Sequence, residues 1–289
     1  MVEIGDLLLA MYGATSGDIA ISKIKGAINQ AILCIRTNQN KKFIESVWNK
    51  HVSKILRKYL QGGQGNLSAD IVKGISFSFP TLEEQERIAN LISLLDERIA
   101  TQNKIIDKLQ SLIKGIAQKI VHSNKPNVRL TECLECKSST LQESEVCEQG
   151  TYPVYGANGI VGYLDNYNTE SEAVYIIKDG SGVGTVSYVT GKCSATGTLN
   201  TLQAKEGYSL HYLYYLLKVF NFEPYKTGMA IPHIYFKDYG KAKVFCPSYT
   251  EQLRYARLLS AIDYKLSAEQ HILTNLSLQK QYLLRQMFI

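Results

Sequence analysis

Pro80-Thr-Leu-Glu-Glu-Gln-Glu-Arg87 recurs as Pro247-Ser-Tyr-Thr-Glu-Gln-Leu-Arg254, an offset of 167 residues. The offset then holds without a gap over most of the chain. It places Gly13 on Gly180, Gly17 on Gly184, Leu67 on Ile234, Glu84-Gln85 on Glu251-Gln252, Ser93 on Ser260 and Asp96 on Asp263. Two copies of one module are expected, and two copies can read two copies of a spaced target.

Each landmark starts a helix. Thr81-Leu-Glu-Glu84 is a capping box, in which the threonine hydroxyl accepts an N–H of the first turn and Glu84 reaches back; Ser248-Tyr-Thr-Glu251 repeats it. Beyond the first box, Ile88, Ile92, Leu95, Ile99, Ile106, Leu109, Ile113, Ile116 and Ile120 follow alternating steps of four and three, broken at Gln102. The second helix carries Tyr255, Leu259, Ile262, Leu266, Leu273, Leu276, Leu283 and Met287 in the same phase, with Glu269 and Lys280 as polar exceptions. A core helix of an ordinary bundle would not require matching phase in two places.

Each helix should run about 37 residues, roughly 55 Å at about 1.5 Å per residue. Antiparallel pairing about a pseudo-twofold axis brings Gln102 onto its repeat mate Glu269, a polar layer that can fix register and orientation. The spacing therefore predicts a Gln102–Glu269 contact, flanked by Ile99 and Leu266.

Ahead of each landmark lies a mixed segment. Val174-Tyr-Ile-Ile177 and Thr185-Val-Ser-Tyr-Val189 are β-rich runs around the tight connection Lys178-Asp-Gly-Ser-Gly-Val-Gly184. The first copy has Leu7–Met11, Tyr12–Gly17 and Asp18–Ile21 in the same places. Phe43, Val47, Val52, Ile55, Leu56 and Tyr59 predict an amphipathic helix, matched by Leu210, Tyr214 and Leu217.

The chain has 289 residues, 45% of them hydrophobic, ample for buried cores, and the repeat favours two modules. It has no apolar run of membrane-span length and no signal-like start, so no membrane partner and a cytoplasmic location are expected. A net charge of +6 permits a polyanionic partner without requiring one.

Cys133-Leu-Glu-Cys136, with Cys147 further along, has half of a zinc spacing, but no second pair follows. Reduced, structural cysteines and no metal are expected. Gly180-Ser-Gly-Val-Gly184 and Gln61-Gly-Gly-Gln-Gly65 match neither a dinucleotide fingerprint nor a phosphate loop. Nor is there a nucleophile elbow or a metal-binding HExxH. The expectation is a chain without catalytic residues or cofactor.

The order of module, helix, module, helix resembles the DNA-specificity subunit of type I restriction-modification systems. The marks are Phe79-Pro-Thr-Leu-Glu-Glu-Gln-Glu-Arg-Ile88 with Leu95-Asp96, Cys246-Pro-Ser-Tyr-Thr-Glu-Gln252 with Ile262-Asp263, and Tyr152-Pro-Val-Tyr-Gly-Ala-Asn-Gly-Ile-Val-Gly-Tyr163. The resemblance implies an α+β fold with two target-recognition modules separated by two long helices in an antiparallel coiled coil. It implies a non-catalytic subunit that reads bipartite double-stranded DNA and docks methyltransferase subunits, and through them a restriction subunit. A rigid spacer of that length would set half-sites about 10 to 15 base pairs apart.

The expected divisions are a first recognition domain over 1–80, a spacer helix over 81–123, a second recognition domain over 124–247 and a second spacer helix over 248–289. The stretch from Val128 to Glu172 has no counterpart before Met1, so the first domain is expected to be truncated. An incomplete gene product, a chain needing a partner fragment, and a half-specificity protein that self-associates are the three readings. The first is favoured because no compensating segment follows at the C-terminus. The competing function is an assembly scaffold that binds protein partners and does not read DNA alone.

Phosphate contacts need Lys, Arg or backbone N–H groups, and base contacts need polar side chains on projecting loops. In the second module the candidates are Lys178, Ser181 and Thr185 at the glycine hairpin, Asn158 and Tyr163 in the glycine-asparagine stretch, and Lys192, Thr196, Lys226 and His233 in other loops. Lys23, Lys25, Arg36, Lys41 and Lys42 are their analogues in the first, although such clusters more commonly form a solvated face.

Overall fold

The computed structural model describes residues 1–59 and 66–287. The glycine-rich stretch from Gln61 to Gly65 lies outside the described residues. The chain begins with β1 (Leu7–Ala10), β2 (Ile19–Ile21), β3 (Ile32–Ile35), α1 (Lys41–Tyr59), α2 (Ala69–Lys73) and the long α3 (Leu82–His122). There follow β4 (Val128–Arg129), α4 (Leu130–Cys133), β5 (Leu134–Ser138), β6 (Tyr152–Gly156), β7 (Gly159–Leu164), β8 (Ala173–Ile177) and β9 (Val186–Val189). The remainder is β10 (Ser194–Ala195), β11 (Leu199–Ala204), α5 (Leu210–Lys218), α6 (Phe236–Tyr239), β12 (Lys243–Val244) and the second long helix α7 (Tyr249–Met287). Two compact units result, one of Met1–Ile106 with Ala268–Ile289 and one of Asp107–Ser267.

In the first unit β1 lies between β2 and β3, both antiparallel to it. Alternation along β1 sends Leu7 and Leu9 into the interior, where both are fully buried. Leu9 meets Trp48 and Ile55 of α1, whose buried face also carries Phe43 and Val47. Trp48 fills the gap beneath the β1–β2 connection and donates its indole N–H to the Gly17 carbonyl at 2.7 Å. That close approach needs glycine: Gly17 has φ +92°, and a Cβ there would stand 2.8 Å from Val52 Cγ2.

In the second unit β8 holds the equivalent place in a four-stranded sheet ordered β5-β11-β8-β9. All five β8 residues are buried, as expected for a strand covered on both faces. Register repeats with the sequence offset. Leu7 opposite Ile21 and Ile35 becomes Val174 opposite Tyr188 and Leu202, and Leu9 opposite Ile19 and Leu33 becomes Ile176 opposite Val186 and Asn200. Even the isolated bridge Val2–Gly26 recurs as Thr169–Cys193. The second unit adds the β6-β7-β10 sheet and the short β4–β12 ladder.

Both long helices start at the expected landmarks. Thr81 and Glu84 form the reciprocal box, the Thr81 N–H bonding the carboxylate at 3.2 Å and the Glu84 N–H bonding the hydroxyl at 3.4 Å. At α7 the contact runs between side chains instead, with Ser248 Oγ donating to Glu251 at 2.8 Å. The glutamine that follows each box turns inward. Gln85 is fully buried; its amide donates to the Pro80 carbonyl at 2.9 Å and accepts the Asn40 N–H, at the start of α1, at 3.0 Å. Gln252, equally buried, donates to the Pro247 carbonyl at 2.9 Å and accepts the N–H of Ser209, the N-cap of α5, at 2.9 Å. Each glutamine thus fastens its long helix to the helix of its module.

Within the first unit α3 and α7 run antiparallel. Ile88 of α3 and Leu284 and Met287 of α7 pack against one cluster of Phe43, Val47 and Ala89, Asp96 pairs with Lys280, and Gln102 meets Glu269. The Gln102 amide donates to the Glu269 carbonyl at 3.0 Å and also to its carboxylate, with both residues only 7% exposed. The expected polar layer is therefore present. Ile99 beside it is half-buried; Leu266, in the second unit, is buried.

Asp96 also takes the Lys42 ammonium at 3.1 Å. Burial pushes the Asp96 carboxyl up in pKa, but hydrogen bonds from Lys280 and Lys42 outweigh it and hold the group below the usual carboxylate range. A folded pKa below the unfolded one stabilises above the unfolded value of about 3.9, and the gain disappears as pH falls through the folded value. Asp96→Asn is expected to cost about 0.5–1 kcal/mol near neutrality, a partly exposed pair being screened, and almost nothing in strong acid. Denaturant midpoints of both proteins at a series of pH values check this; a difference that grows in acid would contradict it.

Candidate nucleic-acid interface

The β8–β9 connection folds tightly because Gly180 and Gly184 take φ of +95° and +90°. Its ends close through Gly184 N–H to Ile177 O at 2.9 Å and Ile177 N–H to Thr185 O at 3.0 Å. A second loop is tied to it by Gly180 N–H to Pro232 O at 3.0 Å and Ile234 N–H to Lys178 O at 2.9 Å. That loop reverses at Gly228, φ +86°, with Thr227 and His233 exchanging N–H···O bonds of 2.9 and 2.7 Å. His233 Nδ1 then meets Asp179 Oδ1 at 2.6 Å.

Five of the sequence candidates come together here. Ser181 and Thr185 are exposed, while Lys178 and His233 are half-buried on the same pair of loops. Lys226 joins them but is held by Glu223 at 2.5 Å. Sequence reading missed the apolar tip of the second loop, where Met229 is fully exposed and Ile231 and Tyr235 are exposed. The available signal was an apolar pair beside a glycine and a proline.

Asn158, Tyr163 and Lys192 form a second group around the β6–β7 hairpin. Asn158 is exposed in its turn, before Gly159 with φ +99°. Tyr163 is exposed on β7, its backbone bridging Cys147 at 3.1 and 2.8 Å. The Lys192 ammonium lies 4.7 Å from the centre of the Tyr167 ring.

Thr196 departs from the expectation of a loop contact. It is 1% exposed, and its hydroxyl shares a 2.9 Å hydrogen bond with that of Thr198. Its N–H donates to Tyr155 O at 2.9 Å, and Thr198 O accepts the Lys178 N–H at 3.0 Å. Thr196 therefore braces β6 against the glycine hairpin, linking the two groups from inside. Small size and the end of a strand bury it, which a polar label alone conceals.

In the first unit the basic candidates are largely engaged. Lys25 pairs with Glu3 at 2.9 Å and Arg36 with Asp6 at 3.3 Å; Lys41 donates to Gly5 O at 2.6 Å, and Lys42 also meets Glu45 at 2.7 Å. Lys23 is exposed. Among the described residues no group of three or more His, Cys, Asp or Glu is placed to hold a metal ion, and no helix is long and apolar enough to cross a membrane. Cys133 is buried against Cys246, and their contact, with burial, pushes the Cys133 thiol far above its ordinary pKa. Cys136 rises to about 11 through burial.

The family model for the type I restriction modification DNA specificity domain matches residues 2–111 and 123–278. The chain belongs to this family. It is similar to the MjaVIII type I restriction enzyme specificity subunit of Methanocaldococcus jannaschii, 28% identical over 125 residues, 42% of this chain and 29% of that subunit. Three curated specificity subunits are matched over 29%, 59% and 29% of their own lengths, all below two thirds. Among solved structures, the S subunit of a type I system from M. genitalium superposes with a TM-score of 0.72 at 20% identity, covering 99% of this chain and 83% of that one. A chain from a study of complex assembly and conformational transition of the type I system superposes at 0.60 and 18% identity, covering 99% and 82%. These likenesses show the fold, which is that of specificity subunits: α+β modules with long antiparallel helices.

Proposed function

We propose that this chain is the non-catalytic DNA-reading subunit of a type I restriction-modification complex, recognising a bipartite double-stranded target. The observation that supports this most is the repetition of one strand register at an offset of 167 residues in a chain of the specificity-domain family. Equivalent frames on one chain suit half-sites on antiparallel strands. In the second module Lys178, Ser181, Thr185 and His233 on the paired loops, with Asn158, Tyr163 and Lys192 beside the β6–β7 hairpin, would face the duplex. Division of the chain into recognition modules over 1–80 and 124–247 and spacer helices over 81–123 and 248–289 belongs to the same reading. The helices would dock methyltransferase subunits, and through them a restriction subunit. Exposed Leu91, Leu94 and Leu112 on α3 and Leu258, Leu278 and Tyr282 on α7 support that role.

Titration of the purified chain with duplexes at rising salt tests the reading, because phosphate contacts make affinity fall steeply with salt. Lys178→Ala is expected to weaken binding to all sequences alike and to lower the log–log salt slope by about one. Absence of binding at low salt would leave the second reading, a protein scaffold, in its place. That alternative draws on the engagement of Lys25, Arg36, Lys41 and Lys42 inside the first unit.

A further inference from the structure

Where α5 meets α7 in the second unit there is an open pocket of ≈ 300 Å³. Its walls include Tyr188, Tyr214, Tyr215 and Tyr264, with His211 and the Asp263 carboxylate. The Tyr215 hydroxyl donates to Asp263 Oδ2 at 3.1 Å. Among the described residues no lysine or arginine pairs with Asp263.

Asp263 is the repeat mate of Asp96, and the contrast between the two carries the argument. Asp96 is neutralised from within its unit by two ammonium groups, those of Lys42 and Lys280. The repeat counterparts of these lysines are Ser209, which N-caps α5, and Ile113, which is 5% exposed. Tyr215 replaces Trp48 at the corresponding module position; the indole points to Gly17, whereas the phenol reaches the helix carboxylate. So the second unit keeps the carboxylate, loses both lysines and gains tyrosine rings around the space.

Aromatic faces beside a carboxylate attract an organic cation through both charge and the ring quadrupole. One of these rings already takes one: the Lys218 ammonium, exposed at the end of α5, is 5.0 Å from the Tyr214 ring centre. Tyr264 is 81% exposed, so the pocket is accessible from solvent. We propose that this pocket receives the side-chain ammonium of a lysine from a partner polypeptide, supplying in trans the charge that Lys42 and Lys280 supply to Asp96 in cis. It rests on the reading that the chain docks protein partners, and is independent of DNA recognition.

The test uses the full chain with labelled tyrosines, titrated with Nα-acetyl-lysine-N-methylamide and with its norleucine counterpart, which lacks the ammonium. Saturable shifts of the Tyr264 resonances are expected with the lysine compound alone. Asp263→Asn should weaken the response roughly tenfold, the scale of losing one contact to a charged group, whereas Asp96→Asn should leave it unchanged. Tyr264→Ala, at an exposed position, should also weaken lysine binding, read from the Tyr188 resonances, without threatening the fold. An equal response to norleucine, or an undiminished response in Asp263→Asn, overturns the proposal. Tighter saturation by spermidine than by the lysine compound, by tenfold or more, would assign the pocket to a free polyamine and overturn the partner assignment. No methyltransferase is present in this titration, so its failure is distinct from failure of helix docking, which co-purification reports.

Discussion

Gly17→Ala is expected to destabilise the first unit by about 2–4 kcal/mol, from roughly 1–2 for a left-handed non-glycine residue and about 1–3 for overpacking, with partial relief by relaxation. The backbone at Gly17 has φ +92°, and the new methyl would stand 2.8 Å from Val52 Cγ2 and 3.2 Å from Leu56 Cδ1. Relief by moving α1 away would stretch the Trp48 indole bond to the Gly17 carbonyl. Trp48 is the chain's one tryptophan, so its fluorescence reports this unit directly. Gly184→Ala, the repeat equivalent, should cost less, because its methyl would meet Phe222 at 3.1 Å, a ring that can tilt. Equal denaturant midpoints for Gly17→Ala and the parent chain would refute the close-approach account.

Gln102→Leu is expected to cost about 1–3 kcal/mol in the same fluorescence transition, from the loss of buried hydrogen bonds that include one to a charged group. The substitution removes donors from both the carbonyl and the carboxylate of Glu269. Converting both positions, Gln102→Leu with Glu269→Leu, should recover most of the loss or exceed the parent, since a packed apolar pair often matches a buried polar one. The gain would come with weaker specification of register, visible as broadened or doubled resonances along the helices. A double variant no more stable than Gln102→Leu alone would show that the layer contributes through something other than this contact.

Much of the frame was legible because it rests on local rules. Pro80-Thr-Leu-Glu-Glu84 starts α3, the four-three spacing gives the apolar stripe, and glycines at 13, 17, 180 and 184 all adopt positive φ. The buried partners Ala89 and Ala256 escaped notice because alanine carries a weak apolar signal, yet both sit where close packing selects a small side chain. Thr196 was misread because burial of a hydroxyl depends on Thr198, Tyr155 and Lys178 meeting around it. The tyrosine pocket was invisible for a similar reason: Tyr188 and Asp263 come from distant parts of the chain and converge only through the packing of β9, α5 and α7. Basic residues of the first module looked available in sequence, but Glu3, Asp6 and Glu45 engage several of them.

The buried amides of Gln85 and Gln252 have a mechanical meaning. Each is a rivet with one end in the first turn of a long helix and the other at the head of a module helix, shielded from competing water. A joint of this kind transmits torque instead of absorbing it. A partner that rolls α3 or α7 by part of a turn would carry the head of the attached module helix, α1 or α5, with it, so an event on a long-helix surface would be felt in the module as a turn of its own helix.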